Sequence, residues 1–179
     1  MMASGTAQRA TSSVLTYDVV PAPIGRLIVA SDGSAIAGVW MANASPDDEH
    51  WADQRGDDAV LAQAREELAA YFVGRLREFT VPLAPNGTEF QMRVWTALTK
   101  IPYGTTISYA DLARRLRNSA AVRAVGAANG RNPIPVIVPC HRVIGSDGSL
   151  TGFGGGLDRK RWLLRHEGAL SGGQAELGV

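Results

Sequence analysis

The chain of 179 residues has little of several residue types that would assign it to a class. It contains one cysteine, Cys140, and therefore has no internal disulfide. Its three histidines, His50, His141 and His166, are too widely spaced for a zinc-ligand pattern, so we expect no structural metal and no cofactor. The first dozen residues lack the apolar core of a signal peptide, and no later stretch is as long as a transmembrane helix. We therefore expect a cytoplasmic protein that has a flexible N-terminus over residues 1–13 and does not bind a membrane.

The composition that remains is typical of a soluble globular protein, with 45% hydrophobic and 20% charged residues. This balance excludes the disordered and collagen-like classes. The formal net charge of +1 conceals a difference between the halves. Residues 1–85 hold 6 basic and 11 acidic side chains, whereas residues 86–179 hold 12 and 6, which gives about −5 against +6. This segregation indicates that the second half binds a polyanion; a chance scatter of solvated charges is the alternative.

The first block, over residues 14–85, predicts a small antiparallel sheet covered by one helix. Three extended runs, "TYDVV", "RLIVAS" and "IAGVWM", are separated by turn residues. An acidic loop, "NASPDDEHWADQRGDD", leads to a helix that Gly74 ends. One face of that helix carries Val60, Leu61, Ala64, Leu68 and Tyr71. The alternating "EFTVPL" predicts a last strand, and no cluster in the block indicates chemistry.

The second block begins with a helix that Thr88 and Gln91 open as a capping box. Ser108 and Asp111 open another short helix in the same way. The turn "RNSA" joins it to a further helix, "AAVRAVGAANG", which Gly130 ends. Two short helices with a tight turn, in the basic half of the chain, have the outline of a helix-turn-helix.

The second of these helices carries few side chains that could identify a DNA sequence. Its face through Arg123, Gly126, Ala127 and Gly130 presents one arginine among small residues, whereas a helix that reads the major groove needs several long polar side chains. Small residues allow close approach to a sugar-phosphate backbone, so the pattern favours sequence-independent binding in the minor groove. A helix packed tightly against another element, with Arg123 merely solvated, is the alternative.

The segment around the cysteine, "PIPVIVPCHRVIG", predicts a buried strand that Pro139 ends. The following "VIGSDGSLTG" predicts a hairpin about Asp147 and Gly148, in the usual place for a wing. The next five residues, "GFGGG", predict a flexible loop whose backbone can approach a flat ligand while the ring of Phe153 stacks on it.

The last helix, "LDRKRWLLRHEG", ends on Glu167, where a carboxylate opposes the helix dipole. A partner such as His141 would explain that placement. Cys140, His141 and Glu167 would then form a relay in which the carboxylate orients the imidazole and the imidazole removes the thiol proton. An inert buried thiol, with a solvated histidine and glutamate, is the alternative.

These residues together resemble the O6-alkylguanine-DNA alkyltransferases, also called methylated-DNA–protein-cysteine methyltransferases. The resemblance is carried by "SYADLA", "AVRAVGAANGRNP", "IPVIVPCHRVIG", "GFGGG" and "LLRHEG", in that order, and covers residues 88–168. It is looser over residues 14–85. The family fold it implies is α+β: a small ribonuclease-H-like sheet-and-helix domain over 14–85, then a mostly helical, winged helix-turn-helix-like domain over 86–168. Residues 169–179 would form a C-terminal tail.

The resemblance implies direct-reversal DNA repair. The protein would flip O6-alkylguanine out of duplex DNA and transfer the alkyl group, irreversibly and once per molecule, to Cys140; acceptance of O4-alkylthymine stays open. His141 would act as the base through a bound water, and Glu167 would hold it. Asn132 would join the active-site segment to the helix-turn-helix. Tyr109 would crowd the phosphate and donate a hydrogen bond to guanine.

The resemblance also implies the DNA and base contacts. Arg123 would enter the duplex and fill the space of the flipped nucleotide, and the carbonyl of Val143 would contact the exocyclic amine of guanine. The remaining DNA contacts would be Tyr109, Ala124, Gly126, Ala127, Gly130 and Arg131. The remaining pocket residues would be Phe153, Gly154 and Gly155. The partner would be alkylated double-stranded DNA, bound by a monomer, with cooperative assembly on DNA left open.

The chain departs from some relatives in three ways. Phe153 stands where many of them have tyrosine, so stacking is kept but any contact of that hydroxyl is lost. The cysteines that bind zinc in the first domain of some relatives are missing here, and so is the cysteine-rich regulatory domain of others. We therefore expect a stand-alone repair protein.

Three other functions stay open on the residues alone. A Cys-His-Glu thiol hydrolase would need an oxyanion hole and would leave the helix-turn-helix without a purpose. A module that only binds damaged bases would not need Cys140. A sequence-specific winged-helix regulator would need more base-reading side chains than this chain has.

Overall fold

The computed structural model describes residues 15–41, 56 and 58–170. The predicted flexible N-terminus, most of the predicted acidic loop and most of the predicted C-terminal tail lie outside these residues. The chain has the predicted α+β class, with a sheet and helix first and mainly helices afterwards. None of the described helices is long and apolar enough to cross a membrane.

The first block forms the predicted meander of three antiparallel strands, β1 (Thr16–Ala22), β2 (Gly25–Ser31) and β3 (Ile36–Met41). β2 lies in the centre and is buried over most of its length. Helix α1 (Ala59–Phe72) covers the sheet and begins at Asp58, whose carboxylate accepts a hydrogen bond from the backbone N–H of Leu61 at 2.8 Å. Four residues of its predicted face are fully buried, namely Leu61, Ala64, Leu68 and Tyr71.

The predicted last strand, "EFTVPL", is wrong. Only one bridge forms, between Leu83 and Ile36 of β3. The backbone N–H groups of Thr80 and Val81 donate instead to the carboxylate of Glu67 on α1, at 2.9 and 3.2 Å. Pro82 has no N–H to donate to a neighbouring strand, so the segment cannot continue a ladder.

The predicted helices of the second block are confirmed. Helix α2 (Glu89–Leu98) and helix α3 (Tyr109–Arg115) each begin with a capping box, at Thr88 and Ser108. Strand β4 (Ile107–Ser108) immediately precedes α3. A short 3₁₀ helix, Ser119–Ala121, leads into α4 (Val122–Gly130), so α3 and α4 form the predicted pair of helices. Val125 and Ala128 anchor α4 in the core.

The predicted buried strand before the cysteine is wrong, although its apolar side chains are buried. Residues 134–138 form a turn in which Val136 has φ 75° and the N–H of Val138 donates to the carbonyl of Ile134 at 2.9 Å. The side chain of Asn132 holds this turn. Its Nδ2 donates to the Val138 carbonyl at 2.8 Å, and its Oδ1 accepts from the Ile134 N–H at 3.0 Å. These bonds replace a neighbouring strand, because they satisfy backbone groups that a sheet would pair.

The predicted hairpin after the cysteine is also wrong. Strand β5 (Val143–Ile144) pairs in parallel with β4, and the turn at Asp147 is closed locally by a bond from the Gly145 N–H to the Ser149 carbonyl at 2.8 Å. The buried ammonium of Lys160 donates to the carbonyls of Val143 and Thr151, at 2.6 and 2.5 Å. Lys160 thus joins the two sides of the segment where a hairpin would use strand pairing.

Helix α5 (Leu157–His166) ends the described fold and packs against α1. The imidazole of His166 stacks on Trp162, with ring centres 4.9 Å apart, and its Nε2 lies 2.8 Å from the carbonyl oxygen of Tyr71. Phe72 contacts both rings. The two blocks therefore share an aromatic interface, and Glu167 lies directly beyond it.

Candidate active site

Cys140 lines a cavity of about 500 Å³. It begins a 3₁₀ helix, Cys140–Arg142, and only 4% of its surface is exposed. Burial raises the pKa of the thiol to about 11, although the Asn132 side chain and the charge of Lys160 act in the opposite direction. The resting thiol is therefore protonated at neutral pH, and any reaction as a nucleophile requires a base.

His141 and Glu167 form a buried pair, as the sequence predicts. The imidazole Nε2 lies 2.8 Å from Oε1 of the carboxylate, and neither side chain is exposed. Burial lowers the pKa of His141, which keeps the imidazole neutral. An ionised carboxylate can only accept, so Nε2 carries the hydrogen and Nδ1 has a free lone pair. Nδ1 is buried and has no hydrogen-bond partner among the described residues, which leaves it available as a base.

Glu167 is held by more groups than the sequence indicated. Besides His141, it accepts hydrogen bonds from the Tyr71 hydroxyl at 2.7 Å, from Nε and Nη2 of Arg142 at 2.8 and 3.0 Å, and from the Gly104 N–H at 3.2 Å. Burial alone would raise its pKa, but the bonds from His141 and Arg142 hold the pKa well below its usual range. These donors explain how a carboxylate can stand at the C-terminal end of α5.

Tyr71 and Arg142 were not identified as site residues from the sequence. Tyr71 is a fully buried residue of α1, and a buried tyrosine hydroxyl needs a hydrogen-bond partner, which was the one available signal. Arg142 also donates from Nη1 to the Ile101 carbonyl at 2.6 Å. This bond fixes the hydrogen-bonded group of Arg142, Glu167 and His141 in the core. Asn129, also missed, donates from its amide to the Cys140 carbonyl at 3.4 Å.

Tyr109 and Asn132 hold two different segments of the site. Asn132 holds the turn before Cys140, as described above. The Tyr109 hydroxyl donates to the Thr151 carbonyl at 3.0 Å, and a Cβ at Gly152 would lie only 2.6 Å from that hydroxyl oxygen. Gly152 also has φ 64°, so glycine is required there both for space and for backbone conformation. Tyr109 therefore fixes the start of the glycine-rich loop.

The outer face of α4 is as bare as the sequence predicted. The exposed residues of this face carry either a guanidinium or almost no side chain: Arg123, Ala124, Ala127, Gly130 and Arg131. Gly126 is partly buried, with the Tyr109 ring 3.8 Å from the position of a Cβ. The helix thus presents a nearly flat surface directly beside Tyr109.

Several predicted pocket residues meet at the cavity and one does not. Phe153, Gly154 and Gly155 line it together with Cys140. Val143 does not line it, because it is completely buried and its carbonyl accepts the hydrogen bond from Lys160. Burial lowers the pKa of Lys160 to about 8.

The cavity also has lining residues that the sequence did not indicate. Three of them, Val39, Trp40 and Met41, belong to the end of β3 in the first block. Others are Asn129, Pro135, Gly156 and Arg159. Over the described residues, no cluster of three or more histidine, cysteine or acidic side chains could hold a metal ion.

Both halves of the chain match models of one family of DNA-modifying proteins. Residues 89–169 match "6-O-methylguanine DNA methyltransferase, DNA binding domain", and residues 15–85 match the ribonuclease-like domain of the same family. The class is therefore that of methyltransferases acting on 6-O-methylguanine DNA.

Relatives and solved structures define the family more narrowly. The chain is 47% identical over 156 residues to the methylated-DNA–protein-cysteine methyltransferase of Mycobacterium tuberculosis, which covers 86% of this chain and 93% of the relative. It is 43% identical over 157 residues to that of Haemophilus influenzae, with 87% of each chain covered. The solved structure of M. tuberculosis OGT in complex with DNA has a TM-score of 0.76 and 46% identity, over 89% of this chain and 96% of that one. The chain belongs to the methylated-DNA–protein-cysteine methyltransferase family.

Proposed function

We propose that this protein repairs DNA directly, by moving an alkyl group from the O6 atom of guanine to the Sγ atom of Cys140. The observation that carries the proposal is a thiol that lines a cavity and is followed in the chain by His141, whose imidazole Glu167 orients. Family membership supplies the substrate class. A thiolate suits this chemistry, because attack on a saturated carbon needs a soft nucleophile.

The reaction balances without a cofactor. A bond forms between Sγ of Cys140 and the alkyl carbon, and the bond between that carbon and O6 breaks. The thiol proton leaves through Nδ1 of His141, with a water between them, and guanine ends with a proton on the ring and a carbonyl at O6. Donors near the leaving oxygen reduce the charge that develops there. We assign that role to the Tyr109 hydroxyl, which must then turn from the Thr151 carbonyl to which it donates.

The Cys140 thiol loses its proton during the alkyl transfer and not in the resting protein. With a thiol pKa of about 11, only about one molecule in 10⁴ would hold a thiolate at pH 7. Because Nε2 of His141 is tied to Glu167, its Nδ1 stays an acceptor, and the imidazolium that forms is stabilised by the carboxylate.

The duplex binds through its minor groove against the outer face of α4. Ala124, Ala127 and Gly130 are small enough to let the sugar-phosphate backbone approach closely, and Arg131 adds positive charge at the end of the helix. Arg123 enters the duplex and replaces the nucleotide that turns out towards Cys140. Contacts of this kind do not depend on sequence, which suits a protein that must find damage anywhere.

The flipped base then occupies the cavity. The ring of Phe153 and the backbone of Gly154 and Gly155 form one wall, and Asn132 holds the segment that carries the thiol. The Val143 carbonyl reaches the guanine amine only if Lys160 shares or releases it, because the ammonium lies 2.6 Å from that oxygen.

Each molecule acts once, because a thioether is a poor leaving group and a thiol is not regenerated from it. The protein works as a monomer in the cytoplasm; sedimentation with duplexes of increasing length would measure whether several monomers assemble cooperatively on DNA.

The test is the intact mass and peptide map of the protein after mixing with excess duplex that contains a single O6-methylguanine. We expect a gain of one methyl group, confined to the peptide with Cys140 and absent from Cys140→Ala. No mass change, with a free thiol and measurable DNA binding, would reject the proposal and favour a protein that only binds damage. Turnover of an activated thioester or ester would favour a thiol hydrolase.

A further inference from the structure

The cavity that holds Cys140 has two walls from distant parts of the chain. One wall is the glycine-rich loop with Phe153 and Gly155. The other is the end of β3, more than a hundred residues earlier in the sequence, including Met41. No function is yet attached to this second wall.

Met41 contacts the loop directly. A Cβ placed on Gly155 would lie 2.2 Å from Sδ and 3.3 Å from Cε of Met41, and 2.8 Å from Cε1 of the Phe153 ring. The thioether and the aromatic ring therefore occupy the space beside Gly155 from two sides. A methionine next to an aromatic ring makes a favourable but adaptable contact, because its unbranched side chain can change rotamer.

Hydrogen bonds tie this second wall to the segment before Cys140 and to the glycine-rich loop. The N–H of Val39 donates to the Pro133 carbonyl at 2.8 Å, which ties β3 to the turn that leads to Cys140. Arg159 donates from Nε to the Ile24 carbonyl at 2.8 Å and from Nη1 to the Gly155 carbonyl at 3.2 Å. The sheet is thus joined to the segment before Cys140 through Val39 and to the glycine-rich loop through Arg159.

Alternation along β3 distinguishes Met41 from its neighbour Trp40. Side chains of successive residues point to opposite faces of a strand. Trp40 also lines the cavity, but its indole lies over Gly38, where a Cβ at Gly38 would clash with it, on the opposite face of β3 from Met41. Met41 lies on the same face as the buried Val39, and its sulfur lies beside Gly155, which lines the same cavity.

We propose that Met41 is a specificity-determining residue: its thioether packs against the alkyl group and limits the size that Cys140 can accept. This inference rests on the proposed transfer to Cys140. A methyl group fits beside the thioether without displacing it. A benzyl group needs the space that the thioether occupies, so Met41 must move for it to enter.

The experiment compares single-turnover rates on two duplexes, one with O6-methylguanine and one with O6-benzylguanine. In M41A the thioether is gone, and the ratio of the benzyl rate to the methyl rate should rise about tenfold or more, the scale of one hydrophobic group in a pocket. In M41W the ratio should fall by about as much. M41L keeps the volume, and its ratio should stay within about threefold of the unchanged protein.

Met92, a partly buried methionine of α2 that does not line this cavity, provides the matched control. M92A should leave the ratio unchanged. A general loss of folding lowers both rates together and leaves the ratio alone, so the ratio reports the pocket. Should M41A not fold, M41W and M41L carry the comparison.

The two proposals fail differently. If the unchanged protein gains no methyl group on Cys140, the proposed function fails. If it does gain one, but the ratio in M41A and M41W stays within about threefold of the unchanged protein, only the role of Met41 is refuted.

Discussion

Replacing Glu167 by glutamine tests the pairing of His141 with the buried carboxylate, because the change removes a charge and keeps nearly the same shape. The carboxylate accepts bonds on both oxygens. Oε1 accepts hydrogen bonds from the Tyr71 hydroxyl, from Nε2 of His141 and from Nη2 of Arg142. Oε2 accepts from Nε of Arg142 and from the Gly104 N–H. Glutamine has one oxygen, so its amide NH₂ must face one of these two sets of donors.

The structure decides which side the amide takes. Neither Arg142 Nε nor the Gly104 N–H can accept a hydrogen bond, so the amide oxygen stays at the Oε2 position. The NH₂ then faces Tyr71 and His141, both of which can accept, and only one group that cannot, Nη2 of Arg142, which loses its partner. His141 must accept at Nε2 and therefore carries its hydrogen on Nδ1, the nitrogen that should take the thiol proton.

The change should lower both the rate of methyl transfer and the free energy of unfolding. In another carboxylate–imidazole pair, the serine-protease triad, the wrong tautomer lowers the rate about 10⁴-fold, and we expect a fall of about 10³- to 10⁴-fold here. Arg142 also loses its counter-charge in the core, which costs about 3–5 kcal/mol of the free energy of unfolding.

Single-turnover methyl transfer, measured well below the melting temperature of each variant, separates the two effects. Tyr71→Phe is the matched control: it removes one donor to the same carboxylate but keeps the charge and the tautomer. We expect it to cost about 1–2 kcal/mol of stability and less than tenfold in rate. A folded Glu167→Gln protein that transfers methyl groups within about tenfold of the normal rate would refute the role of the pair.

Three further predictions use other parts of the site. Cys140→Ala should abolish transfer and keep duplex binding in a fluorescence anisotropy titration; lost binding would show that the thiol serves docking. Arg123→Ala should slow repair of duplex about tenfold or more but leave the reaction with free O6-benzylguanine within about twofold, because only the duplex requires flipping. Equal losses on both substrates, or an equal effect of Arg131→Ala, would contradict that role. The pKa of His141 is lowered by burial from 6.5, so its neutral form stabilises the fold at higher pH. Denaturant unfolding should show stability falling as pH drops below about 6.5; constant stability to pH 5 would contradict a buried neutral imidazole.

The helices of this fold could be predicted because their signals are local. The capping boxes at Thr88 and Ser108 each involve residues three positions apart, and the structure contains both. The strands that failed depend on distant partners. Residues 134–138 have the apolar pattern of a buried strand, yet the Asn132 side chain takes the bonds that a neighbouring strand would supply.

The site could be predicted only in part for the same reason. Cys140 and His141 are adjacent in sequence. Glu167 stands at the C-terminal end of a helix, where its charge opposes the helix dipole, so the sequence indicated that it needs a partner. Tyr71 and Met41 come from the first block, where nothing in the sequence relates them to residues about a hundred positions later. Their contacts with Glu167 and Gly155 arise from how α1 and β3 pack against the second block.

These contacts give the first block a part in the chemistry, although it holds no reactive group. Without the Tyr71 hydroxyl, Oε1 of Glu167 would lose a donor beside the bond that orients His141. Without Met41 and the Ile24 carbonyl, the loop with Gly155 would lose its packing surface and one anchor of Arg159. The second block carries the thiol, the proposed base and the proposed DNA-binding face. The first block adds a hydrogen bond to the carboxylate and one wall to the cavity, so both blocks contribute to the site.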